Sequence, residues 1–307
     1  MKASYLEQTG GPEVLKYGDL PDPKAGPGEI VVDIVAATVN GADWRVRAGG
    51  YGTTLKFPYV LGRDFSGTVS ALGEGVTDFK IGDAVFAVLP PGQEGTYAEK
   101  VAIKAEVVAK KPDGLSHVNA AALALTGLTA VNSVEDTLKL KPGETILIQG
   151  GAGGVASFAI QVAKHIGAKV ITTTSTANVD YVKSLGADQV IDYSKEDFTK
   201  LGQICDAVFE TVGGDTAVKS FSVLKPAGRA AFIASGPKPP ESSRADVQAL
   251  RPPVPRTRAA MERIALLFGA GAVRAPEIKL YKLSEAAEAH RVSEGRHFRG
   301  KLVFQVK

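Results

Sequence analysis

The chain has 307 residues, 44% of them hydrophobic, so it is long enough to bury a sizeable core and to form two domains. Its 36 basic and 33 acidic residues are dispersed and leave a formal charge of +3, with no basic block interleaved with aromatics of the kind that nucleic acid requires. The single cysteine, Cys205, excludes an internal disulfide and any multi-cysteine zinc cluster; with no membrane span or secretory leader visible, a reducing, cytoplasmic address is expected.

Residues 1 to about 122 read as a β-rich domain, with short apolar stretches at Ile30 to Val35, Ser66 to Ala71 and Ala84 to Leu89 punctuated by glycine and proline. From about 123 to 235 the pattern alternates: a strand at Thr145 to Gln149, a helix from Gly153, a strand at Lys169 to Thr173 and a helix to Leu185. That alternation predicts βαβ units on a parallel sheet. Val179, Val182 and Leu185 share one helical face, Gly186 offers a left-handed stop, and a strand at Gln189 to Asp192 follows. Apolar runs at Asp206 to Thr211 and Ala230 to Ala234, separated by a helical stretch around Ala217 to Leu224, bring the sheet to at least five strands. Residues 236 to 256, rich in proline, read as a surface connection with little regular structure. Helices near Arg258 to Phe268 and Ser284 to Glu294 and a strand at Lys301 to Val306 complete the pattern.

The sharpest motif follows the strand Thr145 to Gln149. Gly150-Gly151-Ala152-Gly153-Gly154-Val155-Ala156 contains G-x-G-x-x-A from Gly151 to Ala156. In a dinucleotide loop the first glycine permits the tight turn, the second lets the backbone approach a pyrophosphate, and a small third residue lets helix and strand pack closely. The helix amino terminus then offers free N–H groups and partial positive charge to the phosphates. Context supports this reading, because Val155, Phe158, Ala159, Val162, Ala163 and Ile166 recur at helical spacing directly after the loop.

An NAD site usually places Asp or Glu about 20 residues after the loop to hold the ribose hydroxyls. Here the second strand instead runs into Thr-Thr-Thr-Ser-Thr-Ala-Asn, so Ser175, Thr176 and Asn178 are candidates for a 2′-phosphate and NADPH is the expected cofactor. The same polar groups could instead cap the next helix.

The whole chain resembles the zinc-free quinone oxidoreductases of the medium-chain dehydrogenase/reductase superfamily. The matching segments include Ala36-Ala37-Thr38-Val39-Asn40-Gly41-Ala42-Asp43, Leu61-Gly62-Arg63-Asp64-Phe65-Ser66-Gly67, Gly95-Thr96-Tyr97-Ala98-Glu99 and Gly127-Leu128-Thr129-Ala130. The resemblance implies an α/β fold: a GroES-like (chaperonin-10-like) β-rich catalytic domain over 1–122, a doubly wound Rossmann domain over 123–274, and a C-terminal return over 275–307, with the active site in the cleft between the domains. It implies NADPH-driven reduction of a quinone or an α,β-unsaturated carbonyl. The alternatives are an alkenal or enone double-bond reductase with little quinone activity, and a non-catalytic NADPH-binding protein.

Zinc-dependent relatives carry ligands where this chain has Asn40, Arg63 and Leu125, none of which is a good zinc donor, so no metal is expected. Asn40 and Tyr51 match positions lining the family's cleft, Asn40 as a hydrogen-bond donor or orienter and Tyr51 as a proton source or substrate-positioning group. Arg63 is a third candidate, as an oxyanion stabiliser. Asn40 could equally satisfy buried backbone groups, and Tyr51 could simply pack. For the cofactor, the loop motif makes Gly150 and Gly151 candidates, and the resemblance puts Thr129 near the nicotinamide, Gly153, Gly154 and Val155 at the pyrophosphate, and Tyr193 beside the 2′-phosphate. Asn178 stands where several relatives have a phosphate-binding lysine, with Lys183 one turn later as a substitute. Arg299 and Lys301 are candidate phosphate contacts from the returning tail. A homodimer is the expected assembly if there is one.

Overall fold

The computed structural model describes residues 1–50, 54–242 and 244–307. The chain divides into two compact units: residues 1–125, 256–269 and 275–307 form the first, residues 126–255 and 270–274 the second. Among the described residues no helix is long and apolar enough to cross a membrane.

The first unit opens with β1 (Lys2–Leu6), β2 (Lys16–Asp19), β3 (Glu29–Thr38), helix α1 (Gly41–Arg47), β4 (Tyr59–Val60), β5 (Asp64–Leu72), β6 (Ala84–Val88), β7 (Lys100–Lys104) and β8 (Ala109–Lys110). Helix α2 (His117–Val131) runs from the first unit into the second. β3 is the spine of this unit: β5 and β7 both pair with it antiparallel. Ile30, Val32, Ile34, Phe65, Val85, Ala87 and Ile103 fill a core on one side. The other side needs small residues, because Ala36 of β3 packs on Ala121 and Ala122 of α2. That two-sided burial explains why the apolar run in β3 is nearly continuous and does not alternate.

The second unit is built on β9 (Thr145–Ile148), α3 (Gly154–Ile166), β10 (Lys169–Thr174), α4 (Val179–Ser184), β11 (Gln189–Asp192), β12 (Cys205–Glu210), α5 (Gly214–Lys219), β13 (Leu224–Phe232) and β14 (Gln248–Leu250). Its strands lie in the order β11-β10-β9-β12-β13-β14, and every pairing is parallel. The order reverses beside β9, and ligands of open parallel sheets bind outside the carboxyl ends of the strands at such a point. The helical spacing in α3 does what it predicts: Phe158, Ala159, Val162 and Ala163 are fully buried. Gly167 closes α3 with φ +91°, and Gly186 follows α4 with φ +102°.

The segment 236–256 departs from the expectation of an irregular connection. It contributes β14, whose Ala249 pairs with Ala230 of β13, so the sheet has six strands. Three residues between two proline clusters are too few to leave a periodic signal.

The chain then returns to the first unit through α6 (Arg258–Gly269), β15 (Ile278–Tyr281), α7 (Ala286–Gly295) and β16 (Lys301–Gln305). α6 buries Met261, Ile264 and Leu267, and its first arginine, Arg258, donates to Asp78 (2.8 Å) and the Ala105 carbonyl (2.7 Å). These contacts draw α6 to the β-rich unit although it follows the parallel sheet in sequence. β16 pairs antiparallel with the end of β3, Val303 opposite Thr38, and parallel with β15. Gly300 makes this junction: its φ is +73°, and a Cβ there would lie 1.9 Å from the Glu277 carbonyl oxygen.

Candidate functional site

In the second unit the glycine loop leaves β9 bare of side chains. Gly150 has φ +72°, and its N–H donates to Thr173 Oγ1 (3.1 Å) while Gly151 N–H donates to the Thr173 carbonyl (2.9 Å). A Cβ on Gly151 would lie 2.2 Å from Thr172 Oγ1, so only glycine lets the loop lie this close to β10. Gly153 is the N-cap of α3 and no side chain caps it, so the helix terminus of Gly154 and Val155 keeps its donors for an external acceptor. This cradle fits a dinucleotide pyrophosphate.

At the ends of β10 and β11, Asn178 donates to Ser175 Oγ (3.0 Å) and Thr176 Oγ1 donates to Asp192 Oδ2 (2.5 Å). Ser175, Thr176 and Asn178 thus form one polar cluster, and none of the three makes a side-chain cap on the helix that follows. Tyr193 is 58% exposed beside it, and Lys183 is exposed on α4. Two members of this cluster escaped sequence reasoning. Asp192 closes β11, and Lys195 lies 3.2 Å from its carboxylate. The hydrogen bond from Thr176, then those from Ser194 N–H and Lys195, hold the Asp192 carboxyl below the usual range. The signal was the acid-x-x-base spacing just after a predicted strand.

Further along the same strand ends, Glu210 is fully buried and accepts the N–H groups of Val212 (2.7 Å) and Gly213 (2.8 Å), fixing the loop after β12. Burial pushes its carboxyl up, against those two amide donors. Thr129, on the second-unit part of α2, is 9% exposed and its carbonyl accepts Ser133 Oγ (2.7 Å) where α2 passes into a π-helical turn, Asn132–Thr137.

In the first unit the site residues are joined by side chains. Asn40 is the N-cap of α1, and its N–H donates to Asp43 Oδ2 (2.9 Å) in a capping box. Its amide Nδ2 donates to Asp64 Oδ1 (2.8 Å) and its Oδ1 accepts Lys301 Nζ (2.7 Å). Asp64 is fully buried and also accepts Thr38 Oγ1 (2.8 Å). Lys301 is 5% exposed, and its ammonium is engaged by Asn40 and by the Val39 carbonyl (2.9 Å). A lysine expected at a cofactor phosphate is therefore turned into the fold. Burial lowers its pKa, opposed by the charges of Asp64 and Asp43.

Arg63 also faces carboxylates: it lies 2.6 Å from Glu94 and 3.6 Å from Asp43. Burial pushes Asp43 up to about 7, with Arg63 pulling it down and Glu94 pushing it further up. A second buried chain continues from Asp43. Tyr97 donates to Asp43 Oδ2 (2.8 Å) and lies 3.1 Å from His290 Nε2, while Arg47 Nη1 lies 3.1 Å from His290 Nδ1. Arginine can only donate, so His290 Nδ1 accepts, and the ring proton sits on Nε2 facing Tyr97. Burial first, and then the Arg47 charge, lower the His290 pKa to about 3. Arg299 pairs with Glu277 (2.8 Å). Tyr51 lies outside the described residues. Among the described residues there is no group of three or more His, Cys, Asp or Glu side chains that could hold a metal ion.

With this geometry in hand, the likeness to known proteins is specific. A model of the alcohol dehydrogenase GroES-like domain matches residues 26–113, and a zinc-binding dehydrogenase model matches residues 185–304. The chain is 33% identical over 315 residues to a quinone oxidoreductase of Pseudomonas aeruginosa, covering 96% of each. It is 36% identical over 251 residues to a chloroplastic NADPH-dependent alkenal/one oxidoreductase of Arabidopsis thaliana, a match over 78% of this chain that spans only 64% of that relative's length. The crystal structure of the Escherichia coli quinone oxidoreductase complexed with NADPH covers 100% of both chains with a TM-score of 0.90 at 28% identity. Similarity of this extent, in sequence and in fold, means that the chain belongs to the quinone oxidoreductase family of the medium-chain dehydrogenase/reductase superfamily.

Proposed function

We propose that the protein is an NADPH-dependent oxidoreductase that reduces a quinone or an α,β-unsaturated carbonyl without a metal. The observation that carries this reading is the bare loop at Gly150, Gly151 and Gly153, where a single added Cβ at Gly151 would collide with Thr172. NADPH held there would supply a hydride, that is, one proton with two electrons, to the electron-poor acceptor.

The residues of the chain then have distinct tasks. The loop and the start of α3 hold the pyrophosphate; Ser175, Thr176 and Asn178 hold the 2′-phosphate, with Tyr193, Lys183 and Lys195 around it; Thr129 faces the nicotinamide. Asn40 donates a hydrogen bond to the oxygen on which negative charge develops, and Tyr51 or a water beside it delivers the proton that completes the reduced product. Arg63, paired with Glu94 and Asp43, shapes this region, while Arg299 stays with Glu277.

The likeness to the Arabidopsis alkenal/one oxidoreductase supports a narrower second reading, an enone reductase with little quinone activity. Both readings extend to a cytoplasmic protein, supported by the lone buried thiol of Cys205, and to a homodimer, for which sedimentation is the check. Measuring NADPH oxidation with quinones, alkenals and simple ketones tests the proposal. Turnover is expected with the first two classes and not with ketones, and no turnover with any activated acceptor, despite tight NADPH binding, would leave only a binding protein.

Metal independence rests on Asn40, Arg63 and Leu125 standing where zinc donors would be needed. Elemental analysis should find no stoichiometric zinc, and chelators should leave turnover intact. One tightly held zinc per chain, with activity lost on its removal, would overturn this part.

A further inference from the structure

We propose that Lys301 is a positioning residue for the reduction: its ammonium orients and polarises the Asn40 amide so that Asn40 can donate to the acceptor oxygen. The inference rests on the reading of Asn40 as that donor.

An asparagine side chain is nearly symmetric in shape, and only its partners decide which end is oxygen. Here both ends are decided. An ammonium cannot accept a hydrogen bond, so the atom 2.7 Å from Lys301 Nζ is the Asn40 carbonyl oxygen. A carboxylate cannot donate, so the atom 2.8 Å from Asp64 Oδ1 is the nitrogen. The amide bridges a buried cation and a buried anion, and Lys301 is held in turn by the Val39 carbonyl at 2.9 Å. The second amide hydrogen has only long contacts, 3.4 Å to Thr38 O and 3.4 Å to Thr38 Oγ1, and Asn40 is half-buried while Asp64 is fully enclosed. That hydrogen is the donor left for a substrate oxygen.

Lys301 acts on it in two ways. Holding Oδ1 fixes the amide plane, so no free energy is needed to orient the donor when charge appears on the acceptor. Drawing electron density toward Oδ1 makes the N–H groups more positive, as in any chain of hydrogen bonds in a low-dielectric interior. The backbone supports the placement. Gly300 turns at positive φ against Glu277, Lys301 N–H donates to the Glu277 carbonyl (2.8 Å), and Val39 N–H donates to the Leu302 carbonyl (3.0 Å). The lysine stem is therefore aimed at the end of β3, where Asn40 begins α1.

The test compares Lys301→Met, Asn40→Ala and the double variant in the full chain, with kcat and KM for one quinone and one enone, and the NADPH dissociation constant from cofactor fluorescence. Asn40→Ala is expected to lower kcat about a hundredfold and Lys301→Met about tenfold, with NADPH affinity unchanged in both. In the Asn40→Ala background, Lys301→Met should cost nothing more, because its effect passes through the amide. Lys301→Gln, which keeps a donor at the end of its side chain, should recover part of kcat, and it carries the same test if Lys301→Met does not fold. Wild-type kcat in the Lys301 variants alongside an impaired Asn40→Ala, or losses that add fully in the double variant, would refute the role of Lys301 alone. Wild-type kcat in Asn40→Ala would refute the donor reading and the inference together. Weaker NADPH binding in Lys301→Met at unchanged kcat would return the lysine to the cofactor phosphate.

Discussion

The two units hold their candidate residues with different materials. In the second, the cradle after β9 is made of backbone: N–H groups, a positive φ at Gly150 and the missing Cβ of Gly151. In the first, the region around Asn40 is made of charged and polar side chains drawn from distant stretches, with Asp64, Lys301, Asp43 and Arg63 all within a few bonds of one another. A backbone cradle of this kind has no room for a side chain at Gly151, but its donors belong to the main chain and do not change with pH. A side-chain network tolerates small changes of shape and is sensitive to every proton. Substitutions should therefore fail in different ways on the two sides.

The largest effect is expected at Gly151→Val. The new side chain would begin 2.2 Å from Thr172 Oγ1, so the loop must move away from β10 and from the pyrophosphate. NADPH affinity should fall at least about a hundredfold while the β-rich unit stays folded. Near-normal affinity by calorimetry would show that the loop is not the nucleotide cradle.

Tyr51→Phe probes the other side, since it removes a hydroxyl and keeps the ring. If Tyr51 delivers the proton, kcat should drop about a hundredfold at unchanged NADPH affinity. Undiminished kcat, with a solvent isotope effect showing that proton transfer limits the rate, would assign the proton to water.

A smaller effect is expected at Ser175→Asp, which brings negative charge into the cluster of Ser175, Thr176 and Asn178. The ratio of kcat/KM for NADPH over NADH should fall about tenfold, because the carboxylate repels a 2′-phosphate and accepts from a free ribose hydroxyl. An unchanged ratio would move the phosphate site elsewhere.

The smallest effect is one of stability, and it arises from the buried chain Asp43-Tyr97-His290. Asp43 is raised from 3.8 to about 7, so the folded chain retains a proton there that the unfolded chain releases. Its contribution is full below 3.8 and is lost as pH rises toward 7. His290 is lowered from 6.5 to about 3, so its contribution is full above 6.5 and is lost as pH falls toward 3. Between about pH 4 and 6.5 the two slopes oppose each other. Removing one partner should expose the other: Tm of His290→Gln should fall with rising pH across that window, and Tm of Asp43→Asn should rise. Identical curves for both variants would mean that these groups do not titrate as a pair.

The same contrast explains what was legible in the sequence. The glycine loop could be read because glycine at a turn between an apolar strand and an amphipathic helix reports backbone geometry locally. The second strand, read as ending at Thr173, runs one residue further to Thr174, and the polar residues Ser175, Thr176 and Asn178 follow it. Lys301 could not be read in the same way. A lysine before a terminal apolar run looks like a surface charge or a phosphate contact, and only the pairing of β16 with β3 turns it toward Asn40. Arg63 is similar, since its partner Glu94 lies 31 residues further on, beyond β5 and β6, and only the fold brings the two together. His290 gave no sign of its role, because the residues that hold it, Arg47 and Tyr97, come from α1 and from the stretch before β7. β14 leaves no signal because it is so short, and α6 follows the parallel sheet in sequence while its Arg258 holds it to the β-rich unit.

The closure of the first unit by β16 also orders events during synthesis. All six strands of the parallel sheet lie between Thr145 and Leu250, so that sheet can assemble from contacts among near neighbours as the chain emerges. β3 has no such freedom: Lys301 meets the Val39 carbonyl across 262 residues, and until β16 arrives the end of β3 lacks that neighbour while the Asn40 amide lacks the ammonium that holds its oxygen. A ribosome carrying a chain cut short before Gly300 should thus display a nucleotide cradle already able to take up NADPH beside a β-rich unit still open to proteases, and the acceptor side should become competent only when the last strand docks.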